Sequence, residues 1–143
     1  MSNGSAKHRT TASLALTNDP DAYRDMESAL LEAVEQAGYP EAAVFAVRIA
    51  LEEAVVNGFK HGCKGRADAI VKVDWAVDPN RIEITIQDEG TGFEPGDVPD
   101  PRLPEYLERP SGRGLLLMRS YMTDVQYNDA GNTVTMVYEN PAD

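Results

Sequence analysis

Two alternating segments joined by a tight turn constrain the fold of this chain more than any other feature of its sequence. In VKVDWAV (71–77) and in RIEITIQ (81–87) every second residue is apolar, which is the pattern of a strand with one buried face. Asp78-Pro79-Asn80 between them is typical of a hairpin turn. Hairpin-linked strands pair antiparallel, so the sequence predicts a largely antiparallel or mixed sheet.

The segment before this hairpin predicts one more strand and the start of a helix. Polar and apolar residues alternate over 9–17, which indicates a half-buried strand. Asp19 and Pro20 then predict a helix start, with the aspartate as cap and the proline at the first helical position. Gly38 supplies a stop, and Pro40 opens a second helix that we expect to end at residue 62.

The segments after the hairpin complete the order β-α-α-β-β-lid-α-β-β. We expect a helix over 115–122 and strands over 124–127 and 133–139, with a turn at 129–132. Helices gathered on one face of a hairpin-rich sheet form an α+β, two-layer α/β sandwich. A doubly wound fold would alternate strands and helices strictly and is therefore excluded.

Chain length, the length of apolar runs and cysteine content exclude several classes of protein. The 143 residues suit one domain, which we place at 9–143 after a mobile polar tail at 1–8. No apolar run approaches the roughly 20 residues of a membrane span, so no membrane partner is expected. A single cysteine, Cys63, fits a reducing compartment and predicts a cytoplasmic protein.

The net charge of −11 has two explanations that the sequence leaves open. An acidic surface suits a basic protein partner, but solubility alone also accounts for it. The same charge repels the phosphate backbone, so direct nucleic-acid binding is not expected. A small anion pocket made of backbone amides is still compatible with it.

LEEAVVNGFKHG (51–62) places polar side chains along the edge of an apolar helix. Glu53, Asn57 and His61 fall four residues apart, on one line of the helix surface. A carboxylate can serve as a general base, and an amide oxygen is a hard, neutral ligand suited to Mg²⁺. The alternative is a solvated helix face without a chemical role.

DEGTG (88–92) follows the second hairpin strand directly. Asp88 at the end of a buried strand can accept a hydrogen bond from a planar amino group, and the glycines permit close approach of a ligand. A plain turn is the alternative. The loop that continues to residue 114 holds five of the nine prolines, and a loop of this length is usually functional, so we predict a lid at 93–111.

SGRGLLLM (111–118) places Gly112 and Gly114 just before the third helix. Free amides at a helix N-terminus favour phosphate, although a Ser/Gly helix entry without a ligand gives the same pattern. The spacing differs from that of a Walker P-loop and from that of a GxGxxG fingerprint.

The order of these three motifs resembles one family. ExxxN on a helix, DxGxG after a strand, a proline-rich lid and GxG at a helix resemble the Bergerat-fold ATPases, a superfamily that includes gyrase, the MutL repair proteins and sensor histidine kinases. Within that superfamily, the length and the run PSGRGLLLMRSYMTDVQYNDAGNTVTMVYE are similar to bacterial anti-sigma factor serine/threonine kinases of the RsbW/SpoIIAB type.

The resemblance implies a role for each motif residue. Glu53 would activate the hydroxyl of a protein substrate or a water, Asn57 would bind Mg²⁺, and Asp88 would take the adenine amino group of ATP. Further nucleotide contacts are implied from each of the three motifs: Lys60, His61, Gly90, Gly92, Gly112, Arg113, Gly114 and Leu115.

The resemblance also implies partners. The protein would phosphorylate an anti-sigma antagonist protein and alternatively hold a sigma factor, and a homodimer is expected by analogy with relatives. The alternatives are a non-catalytic ATP-binding module that sequesters a sigma factor or another partner, and a detached ATPase domain that acts on a phosphotransfer protein.

Two residues depart from the family pattern. Asn132 stands near where many relatives place a threonine that helps to bind adenine, and asparagine can make similar hydrogen bonds. Gly58 follows Asn57 where alanine is common, and glycine inside a helix is unfavourable by about 1 kcal/mol. Either a close approach of another group requires this glycine or it is incidental.

Overall fold

The computed structural model describes residues 9–59, 69–88, 110–128 and 132–140, and for 110–115 it describes the backbone alone. Eight elements follow one another in this part of the chain: β1 (Thr10–Thr17), α1 (Pro20–Gln36), α2 (Glu41–Asn57), β2 (Ile70–Val77), β3 (Arg81–Asp88), α3 (Pro110–Tyr121), β4 (Asp124–Tyr127) and β5 (Thr133–Glu139). This is the order that the sequence predicts.

The five described strands form one sheet in the order β1-β2-β3-β5-β4. Each neighbouring pair of strands runs antiparallel. Of the two predicted alternatives, an antiparallel or a mixed sheet, the structure shows the first. β2 turns Val71, Val73 and Trp75 towards the helices, because every second residue of a strand points to the same face. The α+β fold class is confirmed.

One hydrophobic core joins the helices to a single face of the sheet. The core includes fully buried side chains of all three helices, namely Leu30, Val34, Val47, Leu51 and Met118. Complete burial of one such side chain stabilises a fold by roughly 1.5–3 kcal/mol. Among the described helices, none is both long and apolar enough to cross a membrane.

The boundaries of α1 follow from three residues. Asp19 caps the helix and its side chain accepts a hydrogen bond from the Asp21 N–H at 3.4 Å, while Pro20 occupies the first helical turn. Gly38, just after the helix, has a φ of 96°, a conformation that glycine adopts without strain. The predicted start and stop of this helix are confirmed.

The turn between β2 and β3 is built around Asp78. Its Oδ1 accepts hydrogen bonds from the N–H groups of Asn80 at 2.8 Å and Arg81 at 2.9 Å. The Tyr39 hydroxyl donates to the Asp78 carbonyl oxygen at 2.8 Å. Trp75, the single tryptophan of the chain, lies three residues before this turn and is 6% exposed, and no described residue accepts its indole N–H.

Candidate functional site

The C-terminal half of α2 carries the predicted carboxylate and amide. Glu53 is half-buried, and Asn57, one turn further along, is 8% exposed. The neighbouring Glu52 is exposed, about 100° around the helix from Glu53. No described residue forms an ion pair with the Glu53 carboxylate. Glu53 therefore lies at the edge of the core with its oxygens open to another group.

Asn57 is the one buried polar side chain among the described residues. Among the described residues, Nε1 of Trp75 is the one fully buried side-chain polar atom without a hydrogen-bond partner, so burial leaves the Asn57 amide without the penalty of an unpartnered polar atom. An amide oxygen suits a hard cation such as Mg²⁺.

Gly58 lets the end of α2 approach the sheet closely. A Cβ atom at this position would lie 3.3 Å from Cγ2 of Val71 and 3.7 Å from Cβ of Asp88. The absence of a side chain thus brings the helix end that carries Asn57 against the strand end that carries Asp88. The structure thus shows a close approach at this glycine, one of the two alternatives that the sequence left open.

Asp88 is fixed through its backbone at the last position of β3. It lies opposite Val71 in the β2–β3 register, and its N–H donates to the carbonyl oxygen of Asn132 at 2.9 Å. These contacts hold the strand end on both sides. The position of Asp88 relative to α2 is therefore set by the sheet.

Asn132 takes part in a local network at the start of β5. Its side-chain oxygen accepts from the Asn128 amide at 2.8 Å and from the Thr133 hydroxyl at 3.2 Å. The Asn128 oxygen in turn accepts from the Asn132 and Thr133 N–H groups, each at 3.1 Å. Sequence reasoning identified Asn132 only as a substitute for threonine and missed that its carbonyl positions Asp88.

The start of α3 differs from the sequence prediction. The helix begins at Pro110, so Gly112, Gly114 and Leu115 lie within it instead of before it or at its first turn. The first few N–H groups of a helix lack acceptors within it, so the N–H of Gly112 belongs to this group, whereas Gly114 and Leu115 lie further along the helix. Proline suits the first helical position, and packing of α3 on α2 outweighs the low helix propensity of glycine.

Several predicted positions fall outside the described residues. These are Lys60, His61, Gly90 and Gly92, together with the predicted end of α2 at residue 62, most of the predicted lid at 93–111 and the turn residues 129–131. For Arg113 the structure gives a place in α3 and no side-chain position.

The described side chains of the site limit what it can bind. Glu53 and Asp88 are acidic and Asn57 is neutral, so a polyphosphate would bind beside them only together with a cation. In the described part of the chain, no three His, Cys, Asp or Glu side chains cluster as a metal site. Mg²⁺ is usually bound by few protein groups together with the phosphates of a substrate. A cation held by the amide oxygen of Asn57 and by phosphate oxygens of a bound polyphosphate would fit this pattern.

Comparison with protein families identifies the class. The family described as the histidine kinase-like ATPase domain matches residues 16–138, which include the ends of α2 and β3 and the whole of α3. The chain therefore belongs to the histidine kinase-like ATPase family. The Bergerat-type resemblance of the three motifs is confirmed.

Individual relatives narrow the class to the RsbW/SpoIIAB type. An anti-sigma F factor of Halalkalibacterium halodurans is 34% identical over 84 residues, 56% of this chain and 56% of its own. The serine-protein kinase RsbW of Listeria monocytogenes strain EGD-e is 32% identical over 111 residues, 71% of this chain and 69% of its own. An anti-sigma F factor of Clostridium novyi is 33% identical over 95 residues, with coverages of 64% and 65%.

Proposed function

We propose that this protein is an Mg-ATP-dependent serine/threonine kinase and anti-sigma factor that phosphorylates an anti-sigma antagonist protein. The observation that carries the proposal is the approach of Gly58 to Val71 and Asp88, which joins the Glu53–Asn57 face of α2 to the end of β3. Relatives named serine-protein kinase and anti-sigma F factor support the same activity and a sigma factor as the second partner.

Two described residues would bind the nucleotide and its cation. Asn57 would hold Mg²⁺, whose charge offsets that of the phosphates when it is bound, and Asp88 would accept the adenine amino group. Further contacts are proposed from residues whose side chains the structure does not describe: Lys60, His61, Gly90, Gly92, Gly112, Arg113, Gly114 and Leu115. A lid at 93–111, a homodimer and a cytoplasmic location stay predictions.

Glu53 would act as the general base. Its carboxylate takes the proton from the serine or threonine hydroxyl of the antagonist, the hydroxyl oxygen bonds to the γ-phosphorus of ATP, and ADP leaves with the electrons of the broken P–O bond. The half-buried position of Glu53 suits this role, because one side of the carboxylate stays accessible to a docked protein.

The Glu53→Gln variant tests this role with labelled ATP and the purified antagonist. We expect transfer to fall by about 10²–10⁴-fold, the usual contribution of a general base, while the affinity for ATP changes little. Glu41→Gln, an exposed carboxylate in the first turn of the same helix, is the matched control and should transfer at the wild-type rate.

Other outcomes would overturn parts of the proposal. Wild-type activity in Glu53→Gln would contradict the base assignment. Tight ATP binding by the wild type without phosphoserine or phosphothreonine would replace the kinase by the non-catalytic binding module. Acid-labile phosphate on the partner would indicate a domain that acts on a phosphotransfer protein.

A further inference from the structure

An open groove of about 280 Å³ lies between the start of α1 and the last turns of α2. The segment that connects β1 to α1 forms one wall and α2 forms the other. The groove is lined by Thr17, Asn18, Asp19, Pro20, Tyr23, Glu52, Val55, Val56 and Phe59. Neither Glu53 nor Asn57 lines it, so this surface is separate from the candidate nucleotide site.

The groove has an apolar floor and an acidic rim. Val55 and Phe59 are buried below it, and Val56 is 37% exposed. Asp19 and Glu52 are exposed at the rim, and among the described residues that line the groove none is basic. A ligand that covers Val56 would therefore meet carboxylates beside it.

Tyr23 shows that the negative charge extends beyond the rim. Its hydroxyl donates to Oε2 of Glu27 at 3.0 Å. Burial raises the pKa of Tyr23 well above its ordinary value, the charges of Glu27 and Glu52 raise it further, and only Arg48 opposes them. Residues 19–57 contain nine acidic side chains and two arginines, so most of the chain's charge of −11 belongs to these two helices.

We infer that this groove docks an amphipathic helix of a partner protein, one bulky apolar side chain of which covers Val56 while neighbouring Lys or Arg residues pair with Asp19 and Glu52. A volume of about 280 Å³ falls below the roughly 300–1,000 Å³ of small-molecule pockets and suits side chains. A second copy of this chain that docked here through its own acidic α1–α2 surface would place carboxylates against those of the rim.

The inference rests on the proposed function only in that the partner would be the antagonist or the sigma factor. Glu52 and Val56 each precede a site residue by one position, so the groove and the site residues lie on neighbouring faces of the same two turns of α2. A partner held there would be close enough to present a hydroxyl to the site.

Peptide titrations without nucleotide test the groove independently of phosphoryl transfer. The probes are three 18-residue helical peptides: one with a leucine face flanked by lysines, one with glutamates in place of the lysines, and one with serines in place of the leucines. The measurement is the shift of the Val55 and Val56 methyl resonances in the full chain. We expect saturable binding of the leucine–lysine peptide alone, and binding at least about tenfold weaker for the other two.

Matched variants separate the groove from general charge attraction. Glu52→Lys and Val56→Asp should each weaken the leucine–lysine peptide by about tenfold. Glu32→Lys on α1 makes the same charge reversal at an exposed position outside the groove, and Phe45→Asp on α2 replaces an exposed apolar side chain that contacts Tyr121 instead of the groove; both should have little effect on peptide binding. Circular dichroism and thermal unfolding confirm that each variant is folded.

Three results would overturn the inference. Equal losses in Glu52→Lys and Glu32→Lys would show a diffuse charge effect. Peptide shifts confined to residues outside the groove would place binding elsewhere. Methyl shifts that grow with protein concentration in the absence of peptide would assign the groove to a second copy of the chain. A failure of ATP binding or transfer would leave all three readouts unaffected.

Discussion

Two aspartates at opposite ends of the β2–β3 hairpin occupy very different surroundings. Asp78 follows β2, and its carboxylate accepts two backbone N–H groups of the turn and lies 3.8 Å from the Arg9 guanidinium. Asp88 ends β3 and is held through its backbone, by its strand neighbour and by the Asn132 carbonyl, with its Cβ facing Gly58. One end of the hairpin closes a turn, and the other meets a helix that carries a carboxylate and a buried amide.

The comparison shows that residue type and strand position do not determine the role of a carboxylate. Both aspartates directly follow alternating apolar residues, and both are succeeded by residues typical of turns. The difference lies in the residues outside the hairpin that lie against each of its ends. These are Tyr39 at the turn, and α2 with Glu53 and Asn57 at the other end. The contacts give Asp78 a structural role, whereas the proposed binding role falls on Asp88.

The largest expected contrast between the two ends is in ATP affinity. Asp88→Ala should weaken Mg-ATP binding by about 10–100-fold, because a hydrogen bond to a charged group contributes roughly 1.5–3 kcal/mol. Asp78→Ala should leave the affinity within about twofold. Isothermal titration calorimetry measures both, and equal dissociation constants for the two variants would contradict the division of roles.

Thermodynamic stability, unlike ATP affinity, should depend on the turn end of the hairpin. Asp78→Ala removes the acceptor of two turn N–H groups, so we expect the free energy of unfolding to fall by about 1–3 kcal/mol. Asp78→Asn keeps an acceptor oxygen and should lose less. Urea unfolding provides the measurement, and an unchanged midpoint for Asp78→Ala would mean that water replaces the carboxylate without loss.

Alkaline pH should also lower the contribution of the turn end to the free energy of unfolding. Burial raises the pKa of Tyr39 to about 12, with the charge of Asp78 adding to the effect. The unfolded tyrosine ionises near pH ~10, so the folded state retains a proton that the unfolded state loses. The contribution to stability is complete below pH ~10 and is lost as the pH rises towards 12.

Tyr39→Phe removes this titration and tests it. The variant should lose about 1 kcal/mol at neutral pH with its hydrogen bond to the Asp78 carbonyl, and its stability should then fall less steeply between pH 10 and 11.5. The raised pKa of Tyr23 acts in the same direction, so some slope should persist in the variant. Parallel pH curves for the two proteins would rule out Tyr39 as a source of the dependence.

The smallest expected change is Gly58→Ala at the site end. Alanine favours the helix by about 1 kcal/mol, but its Cβ would press on Cγ2 of the buried Val71 at 3.3 Å. Because these effects oppose each other, we expect the free energy of unfolding to change by less than about 1 kcal/mol. A loss above about 2 kcal/mol in urea unfolding would show that the contact between α2 and the sheet tolerates no methyl group.

Local signals in the sequence were sufficient for most of the fold. Asp19 and Pro20 fixed the start of α1, and Gly38 fixed its end, because capping and left-handed backbone depend on residues close in sequence. The alternation of apolar residues likewise located β2 and β3. The start of α3 was wrong because the glycines at 112 and 114 have low helix propensity, and the sequence does not show the packing of α3 on α2.

The site was predictable in its parts and less so in its assembly. Spacing alone placed Glu53 and Asn57 on one line of α2, but their relation to Asp88 depends on contacts between distant segments. The approach of Gly58 to Val71 and the hydrogen bond from Asp88 to Asn132 are such contacts. The groove beside Val56 was missed for the same reason, since its walls come from α2 and from the β1–α1 connection.

The burial of Trp75 has an optical consequence. As the single tryptophan, with an apolar environment and no described acceptor for its indole N–H, it should dominate the protein's fluorescence and emit at short wavelength. It lies four residues along β2 from Val71, roughly 13 Å from the candidate site. Its emission should therefore change when the core unfolds and stay constant when a ligand binds at the site. A change in tryptophan fluorescence would thus indicate unfolding and not binding.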